Sequence, residues 1–403
     1  MRRMDSGVDG TRLRTSSHRK AASTALRGLR LFNGENAPFG AVRFAGVRRS
    51  PSKWVATSST TDLDSMYRMM TEAWKLRPPP VLISVTGAAT AASLDLSPRD
   101  EKIFRRGLRS AAQQTNAWII TGGTNTGVMK MVGSLVHESG RQGTAKEIVC
   151  LGIVPYGAVD KHEAMAATSK GKVFSYEDPK IGGIPQDKKG LRAELDPNHS
   201  HFILVDNGTS DKFGGEIEFR TALENRICTD PSATANDEDN LLPTPMVLVV
   251  VGGGLGTLNT IISTLEKQRP VVVMADSGGV CKDLYTFLEL DGGLPTFNDK
   301  LTPGTEEYKR DRSNIETLRS KLPYIKELGL KRHGANKAKQ ISFFKAHDDV
   351  EGVGNELDDV ILKASPPTSS HELPKSPMSS HELPRSPTLH LPLASASPPA
   401  GCF

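Results

Sequence analysis

Six short apolar runs narrow the folds open to this chain more than any other feature. They are Val81–Val85, Ala117–Ile120, Ile148–Ile153, Phe202–Val205, Val247–Val251 and Val271–Met274. None alternates apolar with polar residues, so each must bury both of its faces. Strands of that kind belong to a parallel sheet covered by helices on either side. Helical patterns fill the intervals between them. Ser97-Pro98 supplies an N-cap and a first-turn proline, and Ile103, Phe104, Leu108, Ala111 and Ala112 follow at helical spacing. Thr126–His137 and Thr257–Gln268 carry the same pattern, and Asp62 opens an earlier helix to Leu76 that Pro78-Pro79-Pro80 stops. This alternation predicts an α/β fold, a doubly wound Rossmann-like parallel sheet. Ligands of such sheets sit beyond the carboxyl ends of the strands.

The pattern occupies residues 43–364, and the flanks differ in composition. Residues 1–42 are basic and low in apolar content, which predicts a disordered tail. No apolar segment follows the early arginines, so a secretory signal is excluded. A solvated basic tail is the reading, with an organelle targeting segment as the alternative. Residues 365–403 are rich in Pro and Ser. They hold a ten-residue repeat beginning at Ser369-Ser370-His371-Glu372-Leu373-Pro374 and again at Ser379-Ser380-His381-Glu382-Leu383-Pro384. Such a segment cannot bury enough surface to offset its ordering entropy. The net charge of +5 over 403 residues gives no footing for nucleic-acid binding. No apolar run approaches the roughly 20 residues of a membrane span. Cys150, Cys228, Cys281 and Cys402 are far apart, which excludes a disulfide scaffold and fits a reducing compartment.

Glycine loops follow four of the strands directly. They are Thr86-Gly87-Ala88-Ala89, then Thr121-Gly122-Gly123-Thr124-Asn125-Thr126-Gly127, then Asp206-Asn207-Gly208-Thr209 leading to Gly214-Gly215-Glu216, and Gly252-Gly253-Gly254-Leu255-Gly256-Thr257. Glycine lets a backbone approach an anion, and a helix starting after the loop offers unpaired N–H groups and a positive dipole end. Thr126 and Thr257 can add hydroxyl donors. Together the loops read as a phosphate cradle, with purely structural turns as the alternative. No GxxxxGK[ST] loop occurs, and Gly254-Leu255-Gly256 is only a fragment of GxGxxG. His199 and His201, in Asn198-His199-Ser200-His201, have a spacing seen in metal sites. They read instead as hydrogen-bonded histidines beneath the sheet, because no third ligand stands close except Asp196 or Asp206. No metal site is expected.

The combined motifs resemble the amino-terminal homology region of TRPM-type (melastatin) transient receptor potential cation channels, the eukaryotic member of the SLOG superfamily. The stretches that carry the resemblance are Val81–Gly87, Ala117–Val128, Gly152–Gly157, Asn198–Thr209 and Gly252–Thr257. It runs from about Arg43 to Ala364. It implies a SLOG nucleotide-sensing domain over 43–300 and the start of a helical, ankyrin-like region over 301–364. The region would be a cytosolic ligand-sensing and assembly module, working beside other subunits of a tetramer, and membrane-associated through the rest of a channel. An ADP-ribose-like ligand would lie at Thr86, Gly87, Gly122, Gly123, Asn125, Thr126 and Gly127, with Gly253, Gly254, Gly256 and Thr257 opposite. Arg220 is the candidate phosphate partner by its charge. No other cofactor is implied.

Three departures bear on function. Ala88 stands where a second glycine is usual, and Gly279 stands where nucleotide-responsive relatives tend to have arginine. Enzymatic LOG-type relatives carry PGGxGTxxE; here Gly252 replaces the proline and Thr260 the glutamate. Threonine cannot serve as a general base at neutral pH. Hydrolysis of nucleotide N-glycosidic bonds is therefore the alternative function, and a non-catalytic sensor the expected one. A structural interaction module is the third reading. The chain itself reads as either a shortened form of a channel or a stand-alone sensor.

Overall fold

Parallel strands buried on both faces organise the chain as the apolar runs require. A computed structural model describes residues 26, 28–45, 50–90, 94–141, 147–168, 172–177, 190–229, 243–290, 292–298, 300–330, 332–333, 338–346 and 357–364. The arginine-rich start and the repeat-bearing tail lie outside these residues.

Ten strands form one sheet: β1 (Phe39–Arg43), β2 (Ser52–Ser58), β3 (Leu82–Gly87), β4 (Trp118–Thr121), β5 (Val149–Gly157), β6 (Val173–Ser175), β7 (His201–Ser210), β8 (Met246–Val251), β9 (Val271–Met274) and β10 (Ile341–Phe344). Their spatial order is β10-β9-β8-β3-β4-β5-β7-β2-β1-β6. Every pair is parallel except β1 with β2. Between β3 and β8 the chain changes direction across the sheet. From β3 it steps to β4 and β5 on one side, and from β8 it steps to β9 and β10 on the other.

The helices are α1 (Leu63–Arg68), α2 (Pro98–Thr115), α3 (Gly127–Arg141), α4 (His162–Ala167), α5 (Ile217–Cys228), α6 (Leu255–Glu266), α7 (Gly279–Glu289), α8 (Glu306–Leu330) and α9 (Leu357–Ala364). Alternate residues of one strand serve opposite layers. Ile83 and Val85 of β3 and Val247 and Val249 of β8 pack with Phe104 and Leu108 of α2, Val132 and Leu135 of α3, and Ile361 of α9. Leu248 and Val250 of β8 pack with Leu258 and Ile261 of α6, Leu284 of α7 and Leu322 of α8. Leu82 joins a further cluster with Met66 of α1 and Leu223 of α5. Each such side chain contributes about 1.5–3 kcal/mol by leaving water.

Helix starts follow the capping chemistry. The Ser97 hydroxyl accepts from the Asp100 N–H at 3.1 Å, with Pro98 at the first position of α2. Asp62 caps α1 through the Ser65 N–H at 2.9 Å. The single helix expected from Asp62 to Leu76 is different: α1 passes into a π-helical turn at Met69–Ala73, where the Trp74 N–H donates to the Met69 carbonyl. The wider turn lets the neighbouring Met66, Tyr67, Met69 and Met70 all reach the core.

Elements outside residues 43–300 also pack into the core. At the start, Leu29, Leu31, Ala37 and Val42 are buried, so folding begins well before residue 43. A basic composition masked a few well-placed apolar anchors. At the end, the described elements after residue 300 pack against the sheet and its helices. β10 pairs in parallel with β9, α8 covers the α6–α7 layer, and α9 lies on α2 through Leu357 and a Ser110–Asp358 hydrogen bond of 2.6 Å. The apolar faces of β9 and α6 need these elements as cover. The three cysteines among the described residues are buried and free.

A chain ending at residue 300 is expected to lose cooperative thermal unfolding by circular dichroism, whereas residues 26–366 should melt like the full chain. Leu322→Ala, at a fully buried position, should cost about 2–5 kcal/mol in urea unfolding.

Candidate functional site

Because β4, β3 and β8 are parallel neighbours, the loops that follow them emerge at one edge. Those after β3 and β8 straddle the change of direction, which is where open α/β sheets bind ligands. The structure therefore brings together Thr86 and Gly87, Gly122 to Gly127, and Gly253 to Thr257.

Backbone contacts weld these loops into one floor. Ala88 donates its N–H to the Val251 carbonyl at 2.9 Å, and its own carbonyl accepts from Val128 at 3.0 Å. Gly127 has φ +50°, and a Cβ there would run into the Ala88 carbonyl. Gly87 has φ +154°, and a Cβ would strike the Val251 carbonyl. Both positions need glycine for close approach. Ala88 itself is buried, so the departure from glycine is absorbed in the floor.

The loop after β8 is fixed from beneath. The Ser277 hydroxyl accepts from the Gly252 N–H at 2.7 Å and donates to the Met274 carbonyl. Val280 donates to the Gly253 carbonyl at 3.0 Å. Gly254 is the N-cap of α6 and brings no capping side chain. Cβ positions on Gly254 and Gly256 point into open space. The first turn of α6 thus presents unpaired N–H groups and the positive end of its dipole.

The loop after β4 rests on a buried chain of polar groups. Asp196 accepts from His199 Nδ1 at 2.9 Å, and His199 Nε2 lies 2.7 Å from Thr121 Oγ1. Thr121 Oγ1 accepts from the Gly123 N–H at 2.8 Å, and the Asp196 N–H donates back to the Gly123 carbonyl at 2.9 Å. Asp196 can sit here because α3 has Gly133, where a Cβ would press on its carboxyl group. Burial works against a charged His199. The Cys150 sulfur and the Asp196 carboxylate outweigh it and push the imidazole up to about 10. The expected hydrogen-bonded histidine is thus found. His201 is hydrogen-bonded too, its Nδ1 2.9 Å from Ser200 Oγ, with its ring 4.7 Å from that of Trp74. Among the described residues no group of three metal-ligating side chains occurs.

Three expected side chains are engaged within the protein. Arg220, the expected phosphate partner, is buried, and its guanidinium is hydrogen-bonded inside the protein. Its Nε lies 2.9 Å from Glu224 Oε1, and Nη2 donates to Ser84 Oγ at 2.7 Å, to the Val85 carbonyl at 3.0 Å and to the Ile120 carbonyl at 3.2 Å. Glu224, one turn further along α5, takes up the charge that recommended it. Thr257 is buried, and its hydroxyl points to the Gly87 carbonyl at 3.4 Å. Thr126 pairs with Thr124, hydroxyl to hydroxyl, at 3.1 Å. Gly279 has φ +51°, and a Cβ there would meet the Gly253 carbonyl, so the loop leaves no room for an arginine side chain in this conformation. Sequence reasoning missed Asp196, Ser277 and Glu224 as supports, because the groups they hold in place, at Gly123, Gly252 and Ser84, lie far from them along the chain.

A folded-state pKa above the ordinary 6.5 means that the His199 contribution is complete below about pH 6.5 and fades as pH rises toward 10. Asp196→Asn should cost about 3–5 kcal/mol at neutral pH, as breaking a buried pair does. It should also lessen the loss of stability between pH 6.5 and 10. Urea unfolding across that range checks both.

A sequence profile described as "SLOG in TRPM" matches residues 52–291. The chain is 39% identical over 244 residues to transient receptor potential cation channel subfamily M member 2 of Rattus norvegicus, across 60% of this chain and 16% of the relative. It is 39% identical over 236 residues to the subfamily M member-like 2 protein of Nematostella vectensis, across 58% and 15%. It is 30% identical over 338 residues to the trpm channel of Drosophila melanogaster, across 81% and 15%. The matched part is thus less than one-fifth of each relative's length. The profile spans more than half of this chain, and its matched region contains every loop of the cleft: the protein belongs to the SLOG family of TRPM channels.

Proposed function

We propose that this chain is a non-catalytic ligand-sensing and assembly domain of a TRPM-like cation channel, and that its cleft takes an ADP-ribose-type nucleotide. One observation carries the reading: the uncapped start of α6 lies at the sheet's change of direction, open above Gly254 and Gly256, beside the glycine loops of β3 and β4. Fixed N–H groups at a helix start are suited to a phosphate and lose no freedom on binding it. In this reading Gly253, Gly254 and Gly256 approach the phosphates. Thr86, Gly87, Gly122, Gly123, Asn125, Thr126 and Gly127 form the opposite wall. Thr257 acts behind them by holding Gly87, and Arg220 by tying the ends of β3 and β4.

The charge balance makes such binding weak. Arg220 is neutralised by Glu224, and Gly279 offers no side chain. Each charge-assisted hydrogen bond that is missing removes about 1.5–3 kcal/mol. Micromolar-to-millimolar affinity suits a sensor that responds to a changing concentration. Catalysis has no carboxylate at the position of Thr260, whose hydroxyl donates back to the Gly256 carbonyl at 3.2 Å on an exposed face of α6. In the assembled channel the domain would lie on the cytosolic side and contact the same domain of other subunits.

Calorimetry of the full chain with ADP-ribose should give saturable heat. Gly256→Asp fits the open space at that position and sets a carboxylate beside the phosphates. It should weaken binding at least about tenfold, or 1.4 kcal/mol, with no fall in melting temperature. Absence of heat with millimolar ligand, or equal binding by the variant, removes the nucleotide assignment. Chromatography should show no free base released from nucleoside monophosphates.

A further inference from the structure

A cavity of about 410 Å³ opens at the carboxyl ends of β2 and β7, beside the first turn of α5. Its size falls within the roughly 300–1,000 Å³ of small-molecule sites. In sheet order β5 stands between it and the loops after β3, β4 and β8. Its lining shares no residue with the loops described there.

The wall is built from hydroxyl, amide and backbone groups. Ser59 and Thr60 come from the turn after β2, Asn207 from β7, and Gly214 and Gly215 from the approach to α5. The Asn207 carbonyl oxygen accepts from the Thr209 N–H at 3.2 Å and hydroxyl at 2.8 Å. This turns its amide nitrogen toward Gly215, where a Cβ would displace it. The Thr60 hydroxyl lies 2.9 Å from that of Ser58, which holds the turn in place. Phe219, itself buried, adds an apolar face.

Charge decides the ligand class. None of the lining residues is Lys or Arg, and Glu218 stands at the rim. Glu216, the N-cap residue of α5, accepts from the Gly214 N–H at 2.9 Å. These two acidic residues oppose the helix dipole and disfavour an anion. An ammonium group would want acceptors alone, whereas this wall offers donors and acceptors side by side. A hydroxyl both donates and accepts, and so matches it. We infer that this cavity is a second binding site, for a neutral polyhydroxylated ring of about pentose size.

Saturation-transfer NMR on the full chain with D-ribose tests this. Transfer to ribose is expected, falling at least fivefold in a Thr60→Val, Glu218→Ala double variant whose melting temperature matches the parent. Both altered positions are exposed, so folding should survive. Transfer should persist in Gly256→Asp, which perturbs only the cleft at β8. No transfer to ribose overturns the assignment, and so does equal transfer in the double variant. Stronger transfer to tetramethylammonium than to ribose does the same. Loss of the ribose signal in Gly256→Asp would place the sugar in the other cleft and likewise overturn it. Because no nucleotide is used, failure here leaves the nucleotide reading to its own calorimetric result.

Discussion

The parallel register of β4, β3 and β8 is the constraint on which the rest of the molecule depends. These strands are buried on both faces, so their alternate residues must find apolar partners above and below. That demand draws α2, α3 and α9 to one layer, and α1 and α5 together with α6, α7 and α8 to the other. Parallel pairing then forces all three following loops to one edge. The reversal between β3 and β8 falls at this edge, which is where open α/β sheets take their ligands. The location of the cleft is thus a consequence of how the core is packed.

Polar groups beneath the edge hold it rigid instead of reaching into it. Arg220 with Glu224 and Ser84 ties the carbonyl ends of β3 and β4. Asp196 with His199 and Thr121 grips Gly123, and Ser277 grips Gly252. Each group leaves water only because its partner is supplied, and removal of one partner would strand the other. The cleft therefore offers backbone N–H groups and very little side-chain charge. A ligand taken there, as proposed, would be recognised by shape and dipole.

Much of this was legible in the residues alone. Six apolar runs announced the buried strands, and Ser97-Pro98 and Asp62 marked helix starts that the structure bears out. Some strands were not legible. β2 includes Lys53, whose ammonium donates to the Trp74 carbonyl at 2.8 Å, a partner that pattern reading cannot supply. β10 was not legible either, because a short apolar stretch does not declare which sheet it joins. Arg220 looked available because its sign matched a phosphate. Glu224, four residues on, was the visible warning that the charge was already engaged.

The sequence by itself determined the class of fold, the places where glycine interrupts it, and the family to which the chain belongs. Those properties are local: periodicity, capping and motif order are written in neighbouring residues. Tertiary structure alone decided which polar side chains were free. Asp196 and Thr121, or Arg220 and Ser84, are far apart in the chain and meet only when the sheet is assembled. Hydrogen-bond satisfaction in a low-dielectric interior is a property of three-dimensional neighbours, and no spacing along the chain encodes it.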